Sequence, residues 1–190
     1  MESVTMKKFE TREQIMQSLQ AERDLSGTDM SGLDLSGIKL IGLNMKGADL
    51  HDSNLSHATL AMADMTDTNL ANTNLENARI AAASLRNANL RGAHMKAAKI
   101  AATDLHNADL TGADLSNSRI YGVDVTGADF TDTKTADATT LVDWAEAKVK
   151  PATLPKAPEP PSWLPFAVVA AIGLAIIAVI WKRRKQVSQL

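Results

Sequence analysis

The chain of 190 residues carries 22 acidic and 20 basic side chains, no cysteine, and only 4% aromatic residues. A charge balance this close leaves no footprint for nucleic acid or an acid-rich partner, and the missing thiols exclude disulfides, thiolate nucleophiles and Cys-ligated metal. So few aromatics speak against an ordinary globular core and a compact enzyme; the interior must be narrow or built from small side chains.

Residues 1–22 show no repeat. Thr11 followed by Gln14 reads as a capping box, with Ile15 and Leu19 one turn apart on the next helical face. The expectation is a short capping helix that covers the open lower end of the domain after it.

From Leu25 to Phe130 every fifth residue is large and apolar: 22 positions without a break, 13 Leu, 4 Met and 3 Ile, then Val125 and Phe130. Two residues before each centre stands a small or apolar residue in 21 of the 22 cases, most often Ala. A helix would spread a period of five around all its faces, and a strand would throw successive members to opposite sides. The pattern needs a chain that turns a corner every five residues and keeps the same two positions inward. Four such sides make a square coil of twenty residues, and coils stack at the β spacing of about 4.8 Å. The 22 sides predict about 5.5 coils. The corner, two residues after each centre, is Gly, Asn or Asp in 17 of 22 repeats, the residues that tolerate tight-turn backbone angles.

Runs such as Ala108-Asp109-Leu110-Thr111-Gly112 and Ala113-Asp114-Leu115-Ser116-Asn117 resemble the pentapeptide-repeat family. The resemblance covers about residues 23–132. It implies an all-β solenoid, a right-handed quadrilateral β-helix placed here over 23–134, and no particular activity.

The register never slips, so residues twenty apart stack and the outside can be read face by face. One face carries Lys39, Thr59, Arg79, Lys99 and Arg119 before its centres, and Ile41, Ala61, Ala81, Ala101 and Tyr121 after them, with Met62 at a corner. The opposite face carries Asp29, Asp49, Asn69, Asn89, Asp109 and Asp129; a third carries Asp24, Asn44, Asp64, Ser84, Asp104 and Asp124. An apolar strip with a cationic rail suits an acidic protein groove, a second copy of the rod, or anionic lipid headgroups. The candidate partner-binding residues are therefore Lys39, Ile41, Ala61, Met62, Arg79, Ala81, Lys99, Ala101, Arg119 and Tyr121.

After Phe130 the centres turn polar at Thr135 and Thr140. Residues 135–150 are expected to cap the upper end, with a second helix carrying Leu141, Trp144 and Lys148 and with Trp144 as an apolar lid. Residues 151–161 hold five prolines and predict a stiff extended spacer, up to roughly 34 Å long. Residues 162–181 contain no charge, span about 30 Å as a helix, and are flanked by Trp163 and Trp181. With Lys182, Arg183, Arg184 and Lys185 opening the basic tail 182–190, they read as a single-pass transmembrane anchor in a lipid bilayer. The basic cluster favours a cytoplasmic C-terminus, yet no apolar stretch follows the N-terminal lysines as a signal peptide would require. A tail anchor with the repeats on the cytosolic side is the expectation.

No catalytic or metal site is expected, nor a cofactor or small-molecule substrate. Inward positions are apolar or small, and His51, His57, His94 and His106 lie on different faces or corners. The glycines follow the corner period rather than a phosphate-binding loop. The reading is a non-enzymatic, membrane-anchored scaffold or adaptor whose basic and apolar face meets a protein partner, itself, or a lipid surface. Nucleic acid is not an expected partner. The family resemblance adds two alternatives: a DNA-mimicking, gyrase-binding member like the quinolone-resistance proteins, or a secreted effector acting at host membranes.

Overall fold

A computed structural model describes residues 6–157. The expected span 162–181, with Trp163 and Trp181, and the tail residues Lys182, Arg183, Arg184 and Lys185 lie outside the described residues. Among the described residues no helix is long and apolar enough to cross a membrane.

The backbone from Arg23 onward winds as an all-β solenoid of about seven turns. One ladder of parallel bridges runs Asp24, Asn44, Asp64, Ser84, Asp104, Asp124, always twenty residues apart. Each centre donates its amide to the turn above, as Leu25 N does to Asn44 O at 2.7 Å and Leu70 N to Asn89 O at 2.7 Å. The corners make this possible. Every fifth residue from Gly27 to Asp137 has a positive φ, between 51° and 71°, whether it is glycine or not. That left-handed step redirects the chain, and on three of the four faces a turn hydrogen bond closes it, such as Ala88 N to Leu85 O at 3.1 Å.

Inside, the centres from Leu25 to Phe130 are at most 3% exposed. Half of their neighbours two residues earlier are alanines, small enough to let four large side chains meet in each turn. Buried Thr and Ser at that position, Ser118 excepted, return their hydroxyls to backbone carbonyls, as Thr73 does to Leu50 O at 2.8 Å.

Both ends are plugged. At the lower end β1 (Lys7–Lys8) pairs in parallel with β2 (Thr28–Asp29). The helix α1 (Arg12–Ala21) follows, with Thr11 accepting from Gln14 N and the Gln14 side chain returning to Thr11 N. Phe9 and Ile15 are buried over the first turn. At the upper end Trp144 meets Phe130 edge-on, with ring centroids 5.0 Å apart. It sits in a single 3-10 turn, Trp144–Glu146, capped by Asp143.

Three expectations change. The solenoid exceeds 5.5 coils because Thr135 and Thr140 take inward sites despite their hydroxyls; Thr135 Oγ1 donates to Thr153 O. The second helix is absent: Thr139–Leu141 pairs as a strand with Arg119–Tyr121, which already satisfies its backbone. Leu141 is half-exposed there, and Lys148 instead reaches Asp129 at 3.2 Å. Finally, the first half of the expected spacer belongs to the rod. Pro151 is buried, and Lys156 forms a bridge with Thr139, its carbonyl accepting from Thr140 N at 2.8 Å.

The corner rule yields opposite signs at two positions. An added Cβ at Gly112, φ +71°, meets nothing, so Gly112→Ala isolates backbone strain and should cost about 1 kcal/mol. Ala82 already bears that strain at φ +52°, so Ala82→Gly should stabilise by roughly 0.5–1 kcal/mol. Urea unfolding of the two variants checks both.

Candidate functional site

On three faces the residue before the centre is usually Asp or Asn, and its side chain accepts the amide two residues on. Ser26 N to Asp24 at 2.9 Å, Thr66 N to Asp64 at 3.0 Å and Thr131 N to Asp129 at 3.0 Å repeat this bond. It bends the chain just after the centre. Ser84, His94 and Lys134 lack it, yet their sides close the same turn, held by in-register pairing with the side below and, for Ser84 and His94, with the side above.

The fourth column contains no Asp or Asn at all: Lys39, Thr59, Arg79, Lys99, Arg119, Thr139. There the backbone runs straight through the residue after the centre. It forms β3 (Thr59–Ala61), β4 (Arg79–Ala81), β5 (Lys99–Ala101), β6 (Arg119–Tyr121) and β7 (Thr139–Leu141), one five-stranded parallel sheet. Its corner column, Gly42, Met62, Ala82, Ala102 and Gly122, is left-handed like the rest but has no turn hydrogen bond.

The structure therefore places the sequence-derived face residues on one surface. Arg79, Lys99 and Arg119 pair in direct register, and Lys39 bridges Thr59 below them. All four cations are exposed. Ala61, Ala81, Ala101 and Tyr121 are half-buried in the same strands, Ile41 lies exposed below, and Met62, at 63%, is the most open large apolar side chain among the described residues. Three cations on other faces meet a carboxylate one turn up: Arg86 with Asp104 at 2.9 Å, Arg91 with Asp109 at 3.0 Å, Lys96 with Asp114 at 3.6 Å. Among the described residues none lies within ion-pair reach of the four cations of this face.

Sequence reasoning missed three parts of the surface. Lys156, bridging Thr139, is the next cation of the ladder, but it follows Thr139 by 17 residues rather than 20 and so falls out of the period. Leu141, expected on a helix, ends the strand Thr139–Leu141. Ala82 and Ala102 are apolar residues at left-handed corners where Gly, Asn or Asp is usual, a departure already visible in the sequence.

Eight copies of the pentapeptide-repeat family model match, across residues 24–56, 48–86, 60–96 and 93–132. The chain belongs to the pentapeptide-repeat family. No curated protein matches it in sequence. Among solved structures it is similar to the pentapeptide repeat protein Rfr23 of the cyanobacterium Cyanothece 51142, at 22% identity and a TM-score of 0.51, over 71% of this chain and 97% of that one. A pentapeptide repeat protein of the Arabidopsis thaliana thylakoid lumen is 31% identical, with a TM-score of 0.35, over 63% of this chain and 74% of that one. A trypsin-treated form of QnrB1, a plasmid-mediated fluoroquinolone resistance protein, is 22% identical, with a TM-score of 0.35, over 67% and 73%. The likeness to Rfr23 concerns the fold alone.

Among the described residues of this pentapeptide-repeat protein no group of three or more His, Cys, Asp or Glu is placed to hold a metal ion. The acidic faces are instead structural. Asn side chains link turns, as Asn69 Nδ2 donates to Asp49 and Asn89 Nδ2 to Asn69, both at 3.0 Å. The hydroxyl and then the amide of the residue two on hold the carboxyls of Asp24, Asp64 and Asp129 below the usual range. At Asp109, Asp114 and Asp124 burial pushes upward, but the same two bonds, to Thr111, Ser116 and Thr126, together with neighbouring cations, outweigh it.

These depressed values fix the sign of an acid limb. Their stabilisation is present above the ordinary Asp value of about 3.9 and is lost as pH falls through the lower folded values. Unfolding midpoints in urea should therefore drop below about pH 4. Asp64→Asn should flatten that limb while keeping the turn, because Asn44 makes the same bond to Lys46 N at 3.2 Å.

Proposed function

We propose that the protein is a non-enzymatic scaffold or adaptor, held at a membrane by residues 162–181, that presents its cation-laddered sheet face to a partner. The observation that carries this reading is the difference between that face and the other three. It alone lacks Asp and Asn before its centres, leaves its cations without carboxylates among the described residues, and exposes Ile41, Met62 and Leu141. Unbalanced like charges about 4.8 Å apart repel, and left-handed alanines are strained. A surface that keeps both is one whose cost is offset by contact with something anionic and partly apolar. A DNA-like surface would need acidic groups where this face carries cations, which disfavours the gyrase-binding alternative.

The uncharged stretch 162–181 supports the anchor, and the repeats stand on the cytosolic side in this reading. The full chain should sediment with vesicles of phosphatidylcholine alone, which offer the cations no net negative charge, and a chain ending at Ala157 should not. A photo-crosslinker at Ala81 should give a discrete adduct in cells, while one at Ala71, the equivalent position on the opposite face, should give none. Equal or absent crosslinking from both positions would contradict the proposal.

A further inference from the structure

We infer that the partner of the cation-laddered face is the anionic headgroup layer of the bilayer itself, so that the rod lies on the membrane with its acidic faces outward. This rests on the proposed function above for the anchor, and adds which chemistry the face recognises.

Three observations lead there. The first is charge and its arrangement. Lys39, Arg79, Lys99, Arg119 and Lys156 form one line up the face, three of them at successive β spacings, with no carboxylate in reach among the described residues. Residues 21–140 hold 16 acids and 10 bases, so the remaining faces are acidic and an anionic plane turns this one toward itself. The second is composition. The described residues have six exposed large apolar side chains, and Ile41, Met62 and Leu141 on this face are three of them. Tyr121 lies beside them, its hydroxyl 3.3 Å from Thr139 Oγ1. Cations interleaved with apolar and aromatic side chains are what an interfacial surface needs: the apolar groups enter the headgroup boundary and the cations meet phosphates. An acidic protein groove would use the cations but leaves Met62 and Leu141 without a role.

The third is where the chain goes. Pairing of Lys156 with Thr139 brings the described chain to its end at the top of this same face. Only residues 157–161 separate it from the uncharged stretch, about 16 Å if extended. Each Lys or Arg near an anionic surface contributes roughly a fivefold gain, so three together give on the order of a hundredfold.

The test uses the full chain, which has no cysteine, with one introduced at Ala81 or Ala71 and labelled with an environment-sensitive fluorophore. The protein is added to vesicles of phosphatidylcholine alone or mixed with phosphatidylglycerol. The expected result is a lipid-contact signal at Ala81 only with phosphatidylglycerol, none at Ala71, and a roughly hundredfold weaker contact equilibrium in Arg79→Gln/Lys99→Gln/Arg119→Gln. Thermal unfolding of the triple variant checks that it is folded. Equal signals at Ala81 and Ala71, or an unaffected triple variant, would overturn the inference. So would protection of Ala81 in cell membranes but not on phosphatidylglycerol, which would assign the face to an acidic protein. Flotation with phosphatidylcholine vesicles reports the anchor separately: if it fails while Ala81 still contacts phosphatidylglycerol, the anchor is lost and this inference stands.

Discussion

Everything in the rod depends on one backbone step, the left-handed residue at every fifth position. It forces a corner, four corners close a turn, and closure at twenty residues sets each residue directly under its equivalent in the next turn. Parallel pairing then needs no further instruction. The step is held even where the side chain dislikes it, at His57, Met62, Ala82, Ala97 and Ala102, because the pairing above and below over-determines it. A local preference satisfied at most corners becomes a global rule at all of them.

Stacking also makes surface chemistry columnar. A residue placed once is repeated, or nearly so, in every turn, so charges form ladders rather than patches. On the acidic faces the ladder is useful to the fold, since Asp and Asn before the centre close turns and Asn amides bridge to the turn below. On the cationic face the ladder does nothing for the fold. It forgoes the turn bonds, stacks like charges, and leaves apolar corners exposed. That contrast, between columns that hold the structure and a column that does not, sets the cationic face apart from the other three.

The period of five made the architecture legible, because no helix or strand tolerates it, and the fixed register made the face legible from Lys39 to Tyr121. What could not be read lies at the ends, where the period fails. Thr135 and Thr140 look like the end of the core, yet both sit inside: the Thr135 hydroxyl returns to a backbone carbonyl, while Thr140 is buried with its hydroxyl unpaired. The dipeptide Lys7–Lys8 carries no strand signal; it is one only because β2 offers an open edge. Lys156 joins the ladder after a shortened turn that no repeat pattern announces, and Asp143 starts a cap that lasts a single turn rather than a helix. In each case pairing with an already formed neighbour overrode the local signal.

The central claim is that the residue before the centre, acting as a column, decides whether a face is bent by side-chain-capped turns or runs as a flat sheet. The direct measurement is a crystal structure of the chain with Arg79, Lys99 and Arg119 all replaced by Asp. The account predicts that each new carboxylate accepts the amide two residues on, at Ala81, Ala101 and Tyr121. It also predicts that the missing turn bonds appear at the corners after Ile80, Ile100 and Ile120. If the three sides stay extended with those amides still paired along the sheet, the flatness of the face has another origin and the account is wrong.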